Sequence, residues 1–400
     1  MASFPGQSAL HHARSLSFPR KTGSAGWHKS RDYIVAELQK LGYAVLGEKF
    51  PIQADPSLFN RGLITFTLLL LVVSYLVSKG SPLLAALLMF LPPFAVATAS
   101  LAWNAWISSG KLRLKPRAFP GVNLVADLPP QGESQGRVLL VAHYDSKGQS
   151  LSLPERSLLL LCLVLLCLIV ALLYLSASHV GLAPFPPPSR KQMAFLSAVA
   201  ALCALMIYRN KTFDTSPGAL DDASGVGVLL TLAEAMKEEP PTRTRVTFLF
   251  TDAEEEGLLG AWSYLKSHPG ELSLSDTYIL NLEGIGLEGR LLFLGKWGSE
   301  LAARILRLAK GRGIPLRPCP FLPGVLMDHL PFRWQGLQAV TLFCLSFKSF
   351  YIHTPKDRPD LLEEGGLREA GELALSFIRE IDQAQPALRG GEAGREGVGF

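Results

Sequence analysis

Charged residues are scarce in this 400-residue chain. They make up 18% of it, whereas about 25% is usual in soluble proteins. Hydrophobic residues reach 48%, and the mean hydropathy is +0.24. This composition excludes a disordered or collagen-like protein, because such chains bury little apolar surface. It favours a folded protein with membrane-embedded parts.

Cysteines are also few. The chain has five, and no two of them form a Cys-x-x-Cys pair. The spacing therefore excludes a dense disulfide scaffold and the paired thiolates of a structural zinc site. There is no long basic run, and 39 basic against 34 acidic residues give a net charge of only +5. A charge this small does not predict nucleic acid as a partner.

Four apolar runs have membrane character, since a spanning helix needs about 17–25 apolar residues. The runs cover residues 62–78, 80–110, 157–178 and 192–208. A buried core helix is the alternative for each. The Pro92–Pro93 pair should kink or break the helix of the second run. The runs are expected to form four transmembrane helices, paired as two hairpins that each return the chain to its starting side.

Basic residues near the helix ends predict the orientation of these hairpins. Ten lie on the face that carries the long non-membrane segments, and three lie on the opposite face. The ten are Lys49, Arg61, Lys111, Arg113, Lys115, Arg117, Lys147, Arg156, Arg209 and Lys211. Basic residues favour the cytoplasmic side, so we expect a multi-pass integral membrane protein, in contact with the lipid bilayer, whose large domain is cytoplasmic. No cleavable signal peptide is expected, because no apolar segment stands early in the chain.

Outside the hairpins, helical patterns alternate with β-rich runs. The helical patterns cover residues 27–41, 225–237, 300–310 and 367–381, and the β-rich runs cover 122–126, 137–142, 245–250, 277–282, 290–294 and 339–343. This alternation predicts an α/β fold with a mostly parallel mixed sheet and helices on both faces. The domain would comprise residues 1–61, 111–156 and 209–384, interrupted by hairpins at 62–110 and 157–208 and followed by a disordered, glycine-rich tail at 385–400.

Acidic residues and histidines follow several of the predicted strands. In open α/β sheets, ligands bind at the carboxyl ends of the strands. Taken singly, each signal has an ordinary explanation: a strand-end histidine is usually structural, an Asp-Asp pair is usually a turn or cap, and a Glu-Glu-Glu run is usually a solvated helix start. Together, histidines and carboxylates without thiolates suit a divalent metal such as zinc or manganese.

Five motifs resemble one known family, the co-catalytic zinc exopeptidases, which include bacterial leucyl aminopeptidases and glutamate carboxypeptidase. They are His-x-Asp-Ser at 143–146, Gly-x-x-Asp-Asp-x-x-Gly at 218–225, Ala-Glu-Glu-x-Gly-x-x-Gly at 253–260, Asn-Leu-Glu-Gly at 281–284 and His-Thr-x-x-Asp at 353–357. The segment 20–26 also looks like the opening of that family. The resemblance extends over nearly all of the chain outside the hairpins and the tail.

The resemblance implies two zinc ions, with manganese or cobalt as other candidate metals. Asp221 would bridge both ions, and Glu254 would be the general base. His143 and Glu283 would bind one ion. Glu255 and His353 would bind the other ion.

Further residues would support these ligands. Asp145 would hold the ring of His143, and Asp222 would follow Asp221 through a cis peptide bond, as in relatives. Many relatives carry aspartate where this chain has Glu283, so the longer side chain would alter the metal spacing. His329 and Tyr351 are candidates for the substrate pocket, with a structural histidine and a core aromatic as the alternatives.

The resulting hypothesis is a membrane-embedded di-zinc aminopeptidase that acts on peptides. One alternative is a glutaminyl-cyclase-like acyltransferase, which would use the same fold with a single zinc ion. The other is a receptor or scaffold with an inactive peptidase fold. Five retained ligands and the base argue against the inactive protein, and ligands for two ions argue less strongly against the cyclase.

Overall fold

A computed structural model describes residues 4–53, 56–108, 116–178, 188–296, 298–319 and 325–383. Its strands are β1 (Val45–Gln53), β2 (Pro116–Leu128), β3 (Gly136–His143), β4 (Gly148–Gln149), β5 (Thr212–Phe213), β6 (Thr244–Thr251), β7 (Thr277–Leu282), β8 (Leu291–Leu294), β9 (Leu316–Cys319) and β10 (Gln338–Cys344). The predicted tail at 385–400 lies outside the described residues.

Eleven α-helices accompany these strands in the described part of the chain. They are α1 (Gly6–Leu16), α2 (Ala25–Lys40), α3 (Pro56–Val77), α4 (Pro82–Ser108), α5 (Leu153–Ala177), α6 (Arg190–Tyr208), α7 (Ser224–Glu238), α8 (Leu259–Ser267), α9 (Glu300–Arg312), α10 (His329–Trp334) and α11 (Glu364–Gln383). The six predicted strands and four predicted helices outside the hairpins are all present. The ends of most of these elements differ from the predicted ends by a few residues.

Eight strands form one mixed sheet in the order β1-β2-β6-β3-β7-β10-β8-β9. The four central strands, β6, β3, β7 and β10, are parallel to their neighbours in this group. The strands β1 and β2 add an antiparallel edge on one side, and β8 joins β10 in antiparallel fashion on the other. The prediction of a mixed α/β sheet with a parallel centre is therefore confirmed.

Strand β3 shows why this sheet has helices on both faces. Its residues are almost all apolar, and consecutive side chains point to opposite faces. Val138 and Leu140 belong to the large cluster formed with α1, α7 and α11, whereas Leu139 and Val141 belong to a second cluster with Tyr264 of α8. All four β3 residues are fully buried, so each face must be covered by a layer of helices.

In the described residues, each of the four predicted membrane runs forms a helix, and the four helices pack together as a bundle. Helix α3 contacts α4, α4 contacts α5, α5 contacts α6, and α6 returns to α3. The shared core of the bundle contains small residues such as Ala85, Ala171 and Ala200, which let helix backbones approach closely. Large apolar side chains such as Leu161 and Leu172 point outward and are exposed.

Two features of the bundle differ from the sequence prediction. Helix α4 runs through Pro92 and Pro93 as one element, so the prolines do not break it; neighbouring helices can satisfy the backbone groups that proline leaves free. Within the described residues, only α5 and α6 are long and apolar enough to cross a membrane by length and composition. Helices α3 and α4 contribute shorter apolar stretches, Arg61–Val77 and Pro82–Ala95.

Both hairpins leave the sheet at the edge where the four parallel strands end. Because β2 is antiparallel to β6, its first residues lie beside the carboxyl end of β6, and α3 and α4 connect β1 to β2 at that point. The second hairpin, α5 and α6, follows the carboxyl end of β3, and the short ladder of β4 with β5 closes its base. The bundle therefore emerges from the carboxyl edge of the sheet.

The first turn of α7 packs directly against the end of β7, which yields a stability prediction. A Cβ atom on Gly225 would lie 2.0 Å from the Leu282 carbonyl oxygen and 2.5 Å from Asp222 Oδ2. Gly225→Ala should therefore lower the thermal unfolding temperature, at a cost of about 1–3 kcal/mol or more. Tryptophan fluorescence of the detergent-solubilised protein would measure it.

Gly311→Ala provides the matched control for this substitution. Gly311 lies near the end of α9, and no described atom other than its chain neighbours and the nearby backbone of its own helix lies within 4 Å of the position its Cβ would occupy. Alanine should be neutral there, or should stabilise the helix by up to about 1 kcal/mol. Equal unfolding temperatures for the two variants would contradict the close contact at Gly225.

Candidate metal centre

Four neighbouring strands deliver side chains to one place. Strands β6, β3, β7 and β10 are adjacent and parallel, so their carboxyl ends meet at the same edge. His143 is the last residue of β3, Glu283 directly follows β7, and Glu254 begins the 3₁₀ turn after β6. His353 follows the 3₁₀ turn after β10, and Asp221 enters from the turn before α7.

Asp221 lies at the centre of these residues and contacts both histidines. Its Oδ1 atom lies 3.0 Å from His143 Nε2, and its Oδ2 atom lies 3.0 Å from His353 Nε2. Two groups result, His143–Asp221–Glu283 and Asp221–Glu255–His353, and within each group the ligand atoms all lie within 4.8 Å of one another. The structure thus places all five residues expected to bind metal around one shared carboxylate.

The chemistry of these groups fits zinc. Each group offers imidazole nitrogen and carboxylate oxygen, which zinc accepts. Glu255 Oε1 and His353 Nδ1 are buried without a hydrogen-bond partner among the described residues. Burial raises the pKa of Glu283 well above its usual range, although His143 opposes this shift. A divalent cation would remove this conflict, because it stabilises the charged form of its ligands.

Asp145 connects His143 to the turn after β6. Its backbone oxygen lies 3.2 Å from His143 Nδ1, and its Oδ1 atom lies 3.4 Å from the same nitrogen. Its two carboxylate oxygens also accept hydrogen bonds from the backbone N–H groups of Glu254 and Glu255, at 3.2 and 3.3 Å. Asp145 therefore lies where it can orient the ring of His143 and hold the glutamate turn at the same time.

Asp222 lies behind the centre and faces backbone donors. The Asp221–Asp222 peptide bond is cis. Asp222 Oδ2 accepts a hydrogen bond from His143 N, and Oδ1 accepts hydrogen bonds from Gly225 N and Gly284 N, at 2.9–3.3 Å. These contacts connect the end of β3, the start of α7 and the residue after Glu283.

The turn after β6 separates two adjacent glutamates. Ala253 has a left-handed backbone, with φ of 55°, so the chain leaves the strand abruptly before Glu254. Glu254 Oε2 lies 4.0 Å from His143 Nε2, whereas Glu255 Oε2 lies 3.1 Å from His353 Nε2. Burial raises the pKa of Glu254 well above its usual range against the effect of His143. Burial also acts on Glu255, but His353 and Lys147 outweigh it and lower the pKa of Glu255 to about 2.

His329 is connected to Glu283 through two polar side chains. His329 Nδ1 lies 2.6 Å from Thr341 Oγ1, and Asn281 Nδ2 donates to both Thr341 Oγ1 and Glu283 Oε2. The Thr341 hydroxyl thus accepts a hydrogen bond from Asn281 and shares a second hydrogen bond with His329. Burial lowers the pKa of His329 to about 3, so this histidine remains neutral. Tyr351 ends the turn after β10 and is 38% exposed, which disagrees with the alternative of a core aromatic.

Sequence reasoning did not assign three charged residues near the centre. Lys147 Nζ lies 2.7 Å from Glu255 Oε2, and no signal in the sequence indicated this contact. Asp357, the last residue of the fifth motif, accepts hydrogen bonds from the backbone N–H groups of Leu220 and Asp221. Arg20, in the opening segment 20–26, is buried and donates to carbonyl oxygens on both sides of the centre, those of Tyr144 and Gly218 among them.

Comparison with known proteins places these features in a family. The sequence profile of "Peptidase family M28" matches residues 208–378. "Aminopeptidase YwaD" of Bacillus subtilis is 26% identical over 196 residues, which is 44% of this chain and 41% of that protein. "Endoplasmic reticulum metallopeptidase 1" of Mus musculus is 27% identical over 186 residues, covering 44% of this chain and 20% of that protein.

A shorter match is closer in sequence. The "Vacuolar membrane protease" of Schizophyllum commune is 44% identical over 91 residues, which is 22% of this chain and 10% of that protein. The alignments thus span less than half of the length of each of these curated relatives.

Solved structures show the same fold. A glutaminyl cyclase of Porphyromonas gingivalis aligns with a TM-score of 0.55 at 18% identity, over 95% of this chain and 99% of that one. A leucine aminopeptidase precursor of Bacteroides thetaiotaomicron aligns with a TM-score of 0.53 at 15% identity, over 94% and 97%. At these identities the likeness concerns the fold alone.

The fold and the clustered histidines and carboxylates define a protein of the zinc exopeptidase type. Within that class, residues 208–378 of the chain match the profile of peptidase family M28. The resemblance recognised from the five sequence motifs is therefore confirmed.

Proposed function

We propose that this chain is a membrane-embedded di-zinc aminopeptidase. The observation that carries the proposal is the pair of ligand groups that share Asp221, with the buried Glu254 beside them. A structural ion pair would need neither the second histidine nor the adjacent, buried glutamate. The match to family M28 and the aminopeptidase among the relatives support the same reaction class.

The proposed ligands follow from the two groups. His143 and Glu283 would hold one zinc ion, Glu255 and His353 the other, and Asp221 both. When bound, such ions lower the pKa of a water molecule and polarise the carbonyl group of the peptide bond.

Glu254 has the position and the environment of a general base. Its carboxylate lies at the edge of the first group and is 7% exposed. Because burial raises its pKa, it holds a proton more readily than an exposed glutamate does. Glu254 would take a proton from the attacking water and pass it to the leaving amine. The neutral His329 would face the same region as a substrate-pocket residue, and the exposed Tyr351 would lie at its border.

A glutaminyl-cyclase-like acyltransferase is the alternative on this fold. Glutaminyl cyclases are among the solved structures with the same fold, and the cyclase hypothesis would need one zinc ion. The second complete ligand group favours two ions instead. Metal analysis of the purified protein would separate the alternatives, since two equivalents per chain would contradict the single-ion hypothesis.

The membrane part of the proposal is supported by the bundle and by the relatives. Helices α5 and α6 meet the length and composition of spanning helices, and we propose that α3 and α4 span with them. Relatives include proteases named for the endoplasmic reticulum and for the vacuolar membrane. The distribution of basic residues favours a cytoplasmic position for the peptidase domain.

Glu254→Gln should leave a folded, fully metallated and nearly inactive protein. Glutamine keeps the size and polarity of the side chain but cannot accept the proton, and losing a general base costs about two to four powers of ten in rate. Hydrolysis of aminoacyl reporter peptides would measure the loss. Glu255→Gln should instead lower the metal content.

Glu256→Gln is the control from the same turn. Glu256 points away from the ligands and forms an ion pair with Arg117 at 2.9 Å, so its substitution should leave turnover near normal. If Glu254→Gln also retained near-normal turnover, Glu254 would have no part in the mechanism.

His143→Ala and His353→Ala should each remove about one equivalent of zinc. Each substitution deletes one nitrogen ligand from a different group while Asp221 remains. Elemental analysis after dialysis would count the ions. Two tightly bound ions and full activity in both variants would refute the ligand assignment, whereas loss of both ions from either variant would show that the sites fill together.

The orientation proposal predicts where reporter fusions are active. A cytoplasm-dependent reporter at the C-terminus should be active, and the same reporter inserted after Ser178, between α5 and α6, should be inactive, because α5 carries the chain across the bilayer. The reverse pattern would place the peptidase domain on the other side. Activity at both positions would contradict a spanning second hairpin.

A further inference from the structure

An exposed apolar turn lies between β10 and His353. We call residues 345–351 the aromatic turn. Phe347 is 87% exposed, and Leu345, Phe350 and Tyr351 are each exposed by about two fifths. The rings of Phe347 and Phe350 contact each other edge to face, with centroids 5.9 Å apart. A contiguous exposed cluster of this kind usually marks an interaction surface.

The aromatic turn lies against the second hairpin. Helix α5 contacts residues 347–351. Just beyond the turn, the His353 carbonyl oxygen accepts a hydrogen bond from Gln149 N at 2.9 Å, and Arg156 of α5 donates to Gln149 Oε1 at 3.0 Å. The turn therefore lies beside the start of α5 rather than on a remote face of the domain.

The start of α5 also marks a change from polar to apolar surface. Arg156 is the last charged residue before an uncharged run, and the outward-facing Leu158 and Leu161 are 61% and 54% exposed. Side chains that face outward from a spanning helix at this point would meet lipid. The aromatic turn lies at that boundary.

Other aromatic and basic side chains stand at the same end of the bundle. Tyr208, the last residue of α6, is 40% exposed, and the Arg61 guanidinium lies 5.8 Å from its ring centroid. Phe213, which pairs with Gly148 at the base of the hairpin, is 43% exposed. Aromatic rings accompanied by basic groups are typical of the layer where hydrocarbon meets headgroups.

The basic residues in and just after the aromatic turn suit the same layer. Lys348 pairs with Glu363, and Lys356 Nζ lies 5.6 Å from the Tyr351 ring centroid. Long basic side chains can keep their charged ends among headgroups while their stems lie along apolar surface. The exposed rings of Phe347 and Phe350 carry no charge and can enter the hydrocarbon beside these basic residues.

We propose that the aromatic turn inserts into the lipid interface, so that the metal centre opens at the membrane surface. The bilayer itself is the partner of this surface, because the turn lies against the hairpin that would span the bilayer. This inference rests on the proposed membrane insertion of α5. Since the turn ends two residues before His353, a substrate that reaches the centre would arrive at the level of the headgroups.

Tryptophan quenching by brominated lipid tests the inference directly. Phe347→Trp, Leu161→Trp and Leu274→Trp are each prepared in the full chain and reconstituted into nanodiscs, with or without bromine on the acyl chains near the headgroups. Leu161 reports on α5, and Leu274 is the matched control. It is 59% exposed, like Leu161, but precedes β7 at the amino end of the strand.

The added fluorescence of Phe347→Trp and Leu161→Trp should be quenched to a similar extent relative to the parent protein, and that of Leu274→Trp should not. If Leu161→Trp is not quenched, the proposed membrane insertion itself fails. If Leu161→Trp is quenched and Phe347→Trp is not, membrane insertion stands and the lipid contact of the aromatic turn is refuted.

Phe347→Asp separates the bilayer from the substrate as the occupant. If lipid is the occupant, this variant should hydrolyse a short soluble reporter peptide in detergent with unchanged KM and lose association of the turn with lipid. A raised KM for that peptide in detergent, together with an unquenched Phe347→Trp, would assign the turn to the substrate and overturn the inference. Leu274→Asp is the control for an added charge.

Discussion

Buried negative charge at one edge of the sheet is the constraint on which the rest of the structure depends. Asp145, Asp221, Asp222, Glu254, Glu283, Asp328 and Asp357 all lie there with at most 7% exposure. Burying an unpaired carboxylate costs several kcal/mol, and the fixed cations that contact this region in the described chain, Arg20 and Lys147, are fewer than the acids. Such a cluster is stable only if some acids remain protonated or if divalent cations bind.

The acids that are not proposed as ligands are held largely by backbone N–H groups. Asp145 accepts from the glutamate turn, Asp222 from the end of β3 and Asp357 from the turn that carries Asp221. Each of these acids therefore positions a segment that bears a proposed ligand. The same hydrogen bonds offset part of the cost of burying these acids and fix the position of the proposed ligands. Arg20 complements these acids. They accept hydrogen bonds from backbone N–H groups, whereas the Arg20 guanidinium donates hydrogen bonds to backbone carbonyl oxygens around the same turns.

The candidate site could be predicted from sequence because its residues follow strands whose apolar runs are conspicuous, and parallel strands bring their ends to one edge. The same logic located β3, β6, β7 and β10. It did not find β1, whose Gly47 and Pro51 obscure the strand pattern, or the short strand β9. Nor did it find Lys147, since a lysine after a motif carries no signal until the fold brings it to Glu255. Helix α4 was misjudged at Pro92 because bundle packing can outweigh a local helix breaker.

The second hairpin is inserted in the chain between His143 and Asp221, yet these two residues lie 3.0 Å apart. The two residues are 78 positions apart in sequence, and most of that distance is the second hairpin. Its base is closed, however: Gly148 pairs with Phe213, and Ser150 N donates to the Lys211 carbonyl oxygen at 3.0 Å. The ladder shortens the loop that effectively separates His143 from Asp221, because the helices beyond it are closed off at their base. The entropy cost of bringing the two residues together depends on the number of residues that remain free in this loop. Motion of the helices beyond the ladder need not displace His143 or Asp221. An insertion at the carboxyl edge of the sheet is therefore compatible with a precisely arranged candidate metal centre.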